Sequence, residues 1–436
     1  MADIKINKHQ YIFSHFENRD NRLFLDNVDL PELAIKEGTP LLVTSEQRLI
    51  NNYRTMANAF SRRYNKFQIN YAIKSNSNPA ILSVFRKEGA GADAASLGEL
   101  YIAKIAGINK DKIIFTPNYA SMTALESALD SGIIINFDDI TQLELVKQRK
   151  VETVSFRINP GIGAGEFSGI VTGGHGSKFG IPESYSIQSY RKAIKYGAKR
   201  FGIHMMAGSN NLDPEYFGTI TAKFFDIISK IQDSLKIDFE FIDIGGGFGV
   251  PYRPNENPLD MEIVAERIIE QLKDKILNKR SVEPKLIVEP GRYLVADSTV
   301  LLGSVTSIKN YDKLIIGTDV GMNILIRPAL YGAYHHIVVA NNLNEPLKNK
   351  ATIVGQVCEN TDKIAEDREF PDTIVNDILA IFNAGAYVFS MGSDYNAFLR
   401  PKEILIDRAS EIHIIRERGL YNDLIRNVKI PEYLMF

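Results

Sequence analysis

The sequence is poor in cysteine, in net charge and in long apolar runs. Cys358 is the single cysteine among 436 residues, which excludes an internal disulfide and a thiolate cluster for zinc or an iron–sulfur centre. Lys and Arg number 51 and Asp and Glu 53, a net charge of -2. This balance predicts no binding surface for nucleic acid or an anionic membrane.

No segment has the pattern of a membrane span or a targeting signal. The most apolar run, residues 378–389, is interrupted by Asn383 and Gly385 and is too short to cross a bilayer. The first twenty residues lack an apolar segment behind a basic start, so we expect no secretory signal. With 44% hydrophobic residues the chain has ample material for a large core, and we expect a cytoplasmic protein.

A strand-then-helix unit repeats through residues 39–300. The first clear strand begins at Gln68, where Ile69, Tyr71 and Ile73 alternate with smaller or polar residues as far as Lys74. Eight such units predict an α/β fold, a closed (β/α)8 TIM barrel. The other strands are predicted at 90–94, 112–115, 133–136 and 153–158, and in segments ending near 207, 244 and 289.

Beyond residue 300 the pattern changes to short β-rich runs joined by turns, such as 305–308, 313–317, 351–357 and 378–382. We expect a second, mostly antiparallel β domain over 301–436. Residues 1–38 are polar and irregular; apolar residues near Leu23 predict a strand, and the segment is expected to join that domain.

Unusual residues follow several predicted barrel strands, at the end where barrel enzymes carry their chemistry. Lys74 follows the first strand, Gly245–Gly247 the seventh and Glu289 the eighth. Each has an ordinary alternative: a surface lysine, a tight turn and a salt bridge. Together they supply what pyridoxal phosphate requires, namely a lysine for a Schiff base, backbone N–H groups for a phosphate and a carboxylate for the ring nitrogen.

Five motifs extend this pattern: Y-A-I-K at 71–74, E-P-G-R at 289–292, I-R-P-A-L-Y at 326–331, C-E at 358–359 and G-A-Y-V-F-S-M-G-S-D-Y-N at 385–396. With them the sequence resembles the alanine-racemase-like, fold-type III pyridoxal-phosphate decarboxylases, and among these the diaminopimelate decarboxylases. The resemblance runs from about Thr39 to about Asn396. It implies decarboxylation of an amino acid, with meso-diaminopimelate converted to L-lysine as the expected reaction.

The resemblance also implies residue roles. Lys74 is the Schiff-base lysine and Cys358 the acid that protonates the carbanion. Other cofactor contacts are expected at Asp93, Met206, Ser209, Gly246, Gly247, Glu289, Gly291, Arg292 and Tyr387. Substrate contacts are expected at Arg292, Arg327, Tyr331, Glu359 and Tyr387. Cys358 and Glu359 are expected to reach the partner's site in a homodimer, whose β domains supply substrate and dimer contacts.

Two positions depart from the family pattern. Met206 occupies a place where a histidine usually stacks on the cofactor ring, and Asn360-Thr361 replace a serine and a glycine. Two alternatives therefore stay open: decarboxylation of another basic or carrier-linked amino acid, and a non-catalytic cofactor-binding homologue. His335 and His336 lack a third ligand at suitable spacing, so we predict no metal site. The Gly-rich stretch between Pro160 and Gly180 is expected to cover the barrel mouth, with a plain surface loop as the alternative.

Overall fold

The structure, a computed structural model, describes residues 10–165, 173–174, 176–279 and 282–435. Part of the predicted cover between Pro160 and Gly180, residues 166–172 and 175, lies outside the described residues. The chain divides into two compact units. The barrel unit consists of Arg48–Pro251 and Asn255–Asp297, and the β unit of the residues up to Gln47, Tyr252–Pro254 and the residues from Ser298.

In the barrel unit, eight parallel strands form a closed sheet within the described residues. The barrel closes where the eighth strand pairs with the first, with Val288 opposite Ile69. In chain order the strands are Phe67–Ala72, Gly91–Ala94, Ile113–Phe115, Ile134–Phe137, Thr153–Asn159, Arg200–His204, Phe241–Asp243 and Lys285–Val288. The α-helices that follow are Pro79–Glu88, Leu97–Ile105, Met122–Asp130, Ile140–Leu145, Glu183–Lys195, Pro214–Leu235, Met261–Lys275 and Arg292–Val295, and Glu46–Ser61 precedes the first strand.

Local sequence explains where these helices begin. Asn78 accepts a hydrogen bond from Ala80 N–H. Pro79 fits the first helical position because an N–H at that position would have no hydrogen-bond partner within the helix. Side chains of Asp or Ser cap most of the other helices in the same way. These capping residues are Ser96, Ser121, Asp139, Asp213 and Asp260.

The β unit is built on a mixed, mostly antiparallel sheet that is buried on both faces. Val300 and Leu302 lie in one apolar cluster, and Leu301 lies in a cluster on the opposite face, as the alternation along a strand requires. The strands of this sheet are Leu41–Ser45, Thr299–Asn310, Leu314–Thr318, Ile337–Val339, Leu347–Val354, Lys363–Pro371, Ile378–Ile381, Lys402–Ile406 and Ile412–Arg416.

A small sheet of Phe16–Arg19, Arg22–Leu25 and Val28–Asp29 precedes the helix Leu30–Glu37 in the β unit. The strand Leu41–Ser45 falls within the range expected for the barrel, yet it pairs with Thr299–Asn310 and Lys402–Ile406 of the β unit. No helix in the described part of the chain is long and apolar enough to cross a membrane.

Candidate active site

Lys74 follows the first barrel strand in a single 3-10 turn, Ile73–Ser75. Contacts with the preceding strand hold the turn in place, because Ser75 Oγ lies 3.0 Å from Tyr71 Oη and donates to the Ala72 carbonyl at 2.8 Å. Tyr71 is fully buried and donates to the Asn76 carbonyl at 2.8 Å. The lysine side chain itself is 44% exposed. A rigid turn thus carries a reactive amine into an accessible space at the carboxyl end of the barrel.

Asp93 lies on the neighbouring strand, with Oδ2 at 3.9 Å from Lys74 Nζ. Burial, reinforced by the negative charge of Glu289, raises the pKa of Asp93 to about 8. The carboxyl is therefore mostly protonated at neutral pH, and its contact with Lys74 is not a strong ion pair.

Glu289 follows the eighth strand and is buried against His204, the last residue of the sixth. His204 Nε2 lies 3.0 Å from Glu289 Oε2. Burial favours the neutral form of Glu289, but His204, which hydrogen-bonds to the carboxylate, and the charge of Lys74 together lower the pKa of Glu289 below its ordinary value. Glu289 therefore stays ionised inside the barrel.

The seventh strand ends in the turn Gly245–Gly247, where a side chain would not fit. A Cβ on Gly246 would lie 2.4 Å from the Glu289 carbonyl oxygen, and Gly247 has a φ of +96°. Gly246 N–H donates to Met206 Sδ at 3.2 Å. Gly246 and Gly247 are half-buried and carry no side chain, so a small anion can approach their backbone closely, and the residues present fit a phosphorylated cofactor.

Arg292 and Ser209 meet beside this turn, with Arg292 Nη2 at 3.2 Å from Ser209 Oγ. Gly291 is packed against the lysine turn, since a Cβ there would lie 3.0 Å from that of Ser75. The barrel unit thus brings nine of the predicted site residues to one end of the sheet. They are Lys74, Asp93, Met206, Ser209, Gly246, Gly247, Glu289, Gly291 and Arg292.

Sequence reasoning did not assign roles to three buried polar residues at the same end. Arg157 reaches the Met206 carbonyl at 3.4 Å and stacks on Phe179, and Asp138 accepts from Gly180 N–H. Asp243 accepts from Gly245 N–H at 2.9 Å. Asp243 ends its strand, Asp138 directly follows one, and Arg157 lies in the last part of the strand Thr153–Asn159. Their position near the carboxyl ends of barrel strands is the signal that could have indicated a role.

In the β unit, Arg327 begins the helix Arg327–Tyr331 and is only 2% exposed. Its Nη1 lies 2.8 Å from His335 Nε2, and Tyr252 stacks under the guanidinium. Because a guanidinium only donates, His335 Nε2 must accept, and its Nδ1–H donates to the Phe382 carbonyl at 2.9 Å. His335 therefore orients Arg327. Tyr331, at the end of the same helix, is half-buried.

Cys358 and Glu359 form a second group in the β unit. Both are exposed. Asn396 Nδ2 donates to Cys358 Sγ at 3.0 Å, and Tyr395 Oη donates to Glu359 Oε1 at 2.6 Å. Tyr387 lies in the same unit, half-buried and with a φ of +59°, a conformation that is uncommon for a residue with a side chain.

Comparison with known proteins identifies the family. A family profile described as pyridoxal-dependent decarboxylase, pyridoxal binding domain, matches residues 46–296. A diaminopimelate decarboxylase of Methanothermobacter thermautotrophicus is 42% identical over 421 residues, covering 96% of this chain and 98% of that protein. The chain belongs to the pyridoxal-dependent decarboxylases. The predicted pyridoxal phosphate cofactor and the predicted reaction class, a pyridoxal-phosphate-dependent carboxy-lyase, are confirmed.

Solved structures agree with this decarboxylase family. A diaminopimelate decarboxylase from M. jannaschii, solved with L-lysine, superimposes with a TM-score of 0.87 at 35% identity and covers 97% of this chain and 99% of that one. A lysine/ornithine decarboxylase from Vibrio vulnificus, at 22% identity and a TM-score of 0.74, shares the fold over 86% of this chain and 96% of that one. The predicted barrel-plus-β-domain fold of the decarboxylase is confirmed.

Proposed function

We propose that this decarboxylase acts on meso-diaminopimelate and releases L-lysine and CO2, a step of lysine biosynthesis. The observation that carries the substrate assignment is the near-full-length identity, 42% and 39%, to two proteins named diaminopimelate decarboxylase. The structure with L-lysine bound, 35% identical to this chain, further supports it.

When bound, pyridoxal phosphate supplies an electron-accepting ring that stabilises negative charge on the substrate carbon from which CO2 departs. We assign Lys74 to hold the cofactor through its amine. This assignment is supported by the rigid turn under a 44% exposed side chain. The phosphate would be held by the turn Gly245–Gly247, with Ser209, Gly291 and Tyr387. Asp93 and Met206 complete the cofactor contacts.

Glu289 is assigned to the ring nitrogen. An ionised carboxylate there keeps the nitrogen protonated and so strengthens the ring as an electron acceptor. The lowered pKa of Glu289, held down by His204 and Lys74 against the effect of burial, supports this role.

Substrate recognition is assigned to the two arginines, Tyr331, Tyr387 and Glu359. The guanidinium forks of Arg292 and Arg327 bind carboxylates through two parallel hydrogen bonds and stay charged. Glu359 would take the distal ammonium of a diamino diacid. Cys358 Sγ would deliver the proton to the carbon that loses CO2, with Asn396 orienting the thiol at 3.0 Å.

We further propose that the enzyme works as a homodimer in the cytoplasm, with Cys358 and Glu359 completing the partner's site. Both side chains are exposed in the single chain, as residues that serve a partner must be. A proton-donating thiol also has to stay reduced, which a reducing compartment ensures.

The departures at Met206 and Asn360-Thr361 favour one second candidate, decarboxylation of another basic or carrier-linked amino acid. CO2 release from diaminopimelate, lysine, ornithine and arginine, measured on purified enzyme, separates the two. We expect release from diaminopimelate to exceed the others by at least a hundredfold. No release from diaminopimelate would defeat the assignment. In parallel, K74A should abolish the yellow absorbance of the holoenzyme, and an intact band would remove Lys74 from its role.

A further inference from the structure

The carboxylate of Glu289 is held on two sides by buried groups. On one side, Oε2 lies 3.0 Å from His204 Nε2. On the other side are two buried carboxylate oxygens, Oε1 of Glu289 and Oδ2 of Asp243. Within the described residues, neither oxygen accepts a hydrogen bond from an N–H or O–H group. The ligating atoms of the three side chains all lie within 4.8 Å of one another. All three side chains are almost wholly buried, so this is a closed polar cluster.

Asp243 is fixed in orientation by its own backbone. Its Oδ1 accepts from Gly245 N–H at 2.9 Å, which leaves Oδ2 for Glu289. Two carboxylates that face each other in an apolar interior cannot both be ionised, because each charge disfavours the other. One shared proton turns the repulsion into an O–H···O hydrogen bond.

The surroundings decide which residue carries that proton. Burial, then the charge of Glu289, raises the pKa of Asp243 well above its ordinary value. On Glu289, burial is outweighed by His204, Lys74 and the hydrogen bond from Asp243, so its pKa is lowered. The remaining ionisable groups that act on the cluster are Asp93, Asp138 and Arg157. The proton therefore belongs to Asp243 Oδ2.

His204 has a defined tautomer as well. Since the ionised Glu289 can only accept, His204 Nε2 carries a proton, and its buried Nδ1 has no hydrogen-bond partner in the described chain. Burial lowers the pKa of His204, which keeps the ring neutral with that single N–H.

We propose that Asp243, in its protonated form, and His204 are positioning residues that donate to opposite oxygens of Glu289 and keep it ionised and aimed at the ring nitrogen of the cofactor. The proposal rests on the role proposed above for Glu289. Neither residue touches the reacting atoms; both act through Glu289.

Asparagine at position 243 tests the proton directly. Its amide oxygen can accept from Gly245 N–H, and its amide N–H can donate to Glu289 as the protonated acid does. D243N should therefore behave like the wild type, whereas D243A should not. An ionised Asp243, acting as a base or a cation ligand, predicts the reverse, with D243N as damaging as D243A.

The readout is cofactor binding to the apo-enzyme rather than turnover. Dissociation constants are measured for pyridoxal phosphate and for its carbocyclic analogue, in which CH replaces the ring nitrogen. The ratio of the two dissociation constants reports only the contacts made through the ring nitrogen, because a general loss of structure weakens the binding of both ligands alike. We expect a preference of tenfold or more for pyridoxal phosphate in the wild type, retained within threefold in D243N and lost in D243A.

Two further variants keep the test decisive if D243A does not fold. H204Q retains an N–H donor and should preserve the ratio, while H204L should reduce it. D319N, at a half-buried carboxyl of the β unit that accepts from Ser304 N–H, serves as the matched control and should leave the ratio unchanged. Loss of the ratio in D243N, or its survival in D243A or H204L, overturns the proposal. A wild-type ratio near one would instead show that Glu289 does not serve the ring nitrogen, and both assignments would fall.

Discussion

Cys358 is exposed, and Asn396 contacts it twice, accepting from the backbone N–H and donating to Sγ, each at 3.0 Å. A side chain held in this way can present a proton at a fixed place. We predict that C358A retains the holoenzyme absorbance and slows turnover by about 10²- to 10⁴-fold, the usual contribution of a positioned acid. Unchanged turnover, measured as CO2 release, would remove Cys358 from the mechanism.

The buried carboxyl of Asp93 makes the stability of the fold depend on pH. Its pKa is raised from 3.8 to about 8 by burial and by Glu289. Between these values the folded chain binds a proton that the unfolded chain has released, so this group destabilises the fold as pH rises. D93N removes the effect. We predict that the stability of apo D93N relative to the wild-type apoprotein increases by up to about 1.4 kcal/mol per pH unit from pH 5 to 7.5.

Urea unfolding of both apoproteins at several pH values measures this difference. D130N, at an exposed carboxylate that pairs with Arg149, serves as the control and should leave the wild-type slope unchanged. Parallel profiles for D93N and wild type would show that Asp93 is not a protonated buried acid.

At the scale of elements, the turn Gly245–Gly247 ties the seventh strand to the eighth. Glu289 N–H donates to the Gly245 carbonyl at 2.7 Å, and a Cβ on Gly246 would meet the Glu289 carbonyl at 2.4 Å. The atom that a Cβ on Gly246 would meet belongs to the backbone, so relieving the overlap would require the main chain to shift. We predict that G246A loses about 1–3 kcal/mol of stability, as overpacked sites do, and binds cofactor at least tenfold more weakly.

A matched substitution exists in the helix Leu97–Ile105. A Cβ on Gly98 would find its nearest neighbour, Ser96 Oγ, at 3.6 Å, which is ordinary contact. G98A should therefore be neutral or stabilising by up to about 1 kcal/mol, because alanine is the better helix former. Thermal melts and cofactor titration of both variants make the comparison, and equal behaviour would refute the steric argument.

The elements also show what the sequence could and could not predict. The barrel strands were predictable because alternation and turn residues are local signals, as in Ile69, Tyr71 and Ile73. The partners of Leu41–Ser45 were not, because they lie far along the chain, with Thr44 opposite Thr299. Likewise, residue types at strand ends indicated Lys74 and Glu289, but the contact of His204 with Glu289 joins residues 85 positions apart and needed the fold.

At the scale of the whole molecule, the proposed homodimer divides each active site between subunits. The barrel supplies Lys74, and the partner's β domain would supply Cys358. K74A and C358A should each be inactive or nearly so as homodimers. In a mixed dimer, however, one of the two sites would combine an intact lysine with an intact cysteine, while the other would carry both defects.

Unfolding and refolding the two variants together at equal concentration provides the test. Random pairing makes half of the dimers mixed, each with one competent site of two, so we expect about a quarter of wild-type CO2 release. Wild-type enzyme taken through the same cycle gives the reference, and the double variant K74A/C358A gives the background. If each chain instead used its own cysteine, mixing would restore nothing above the sum of the two separate variants.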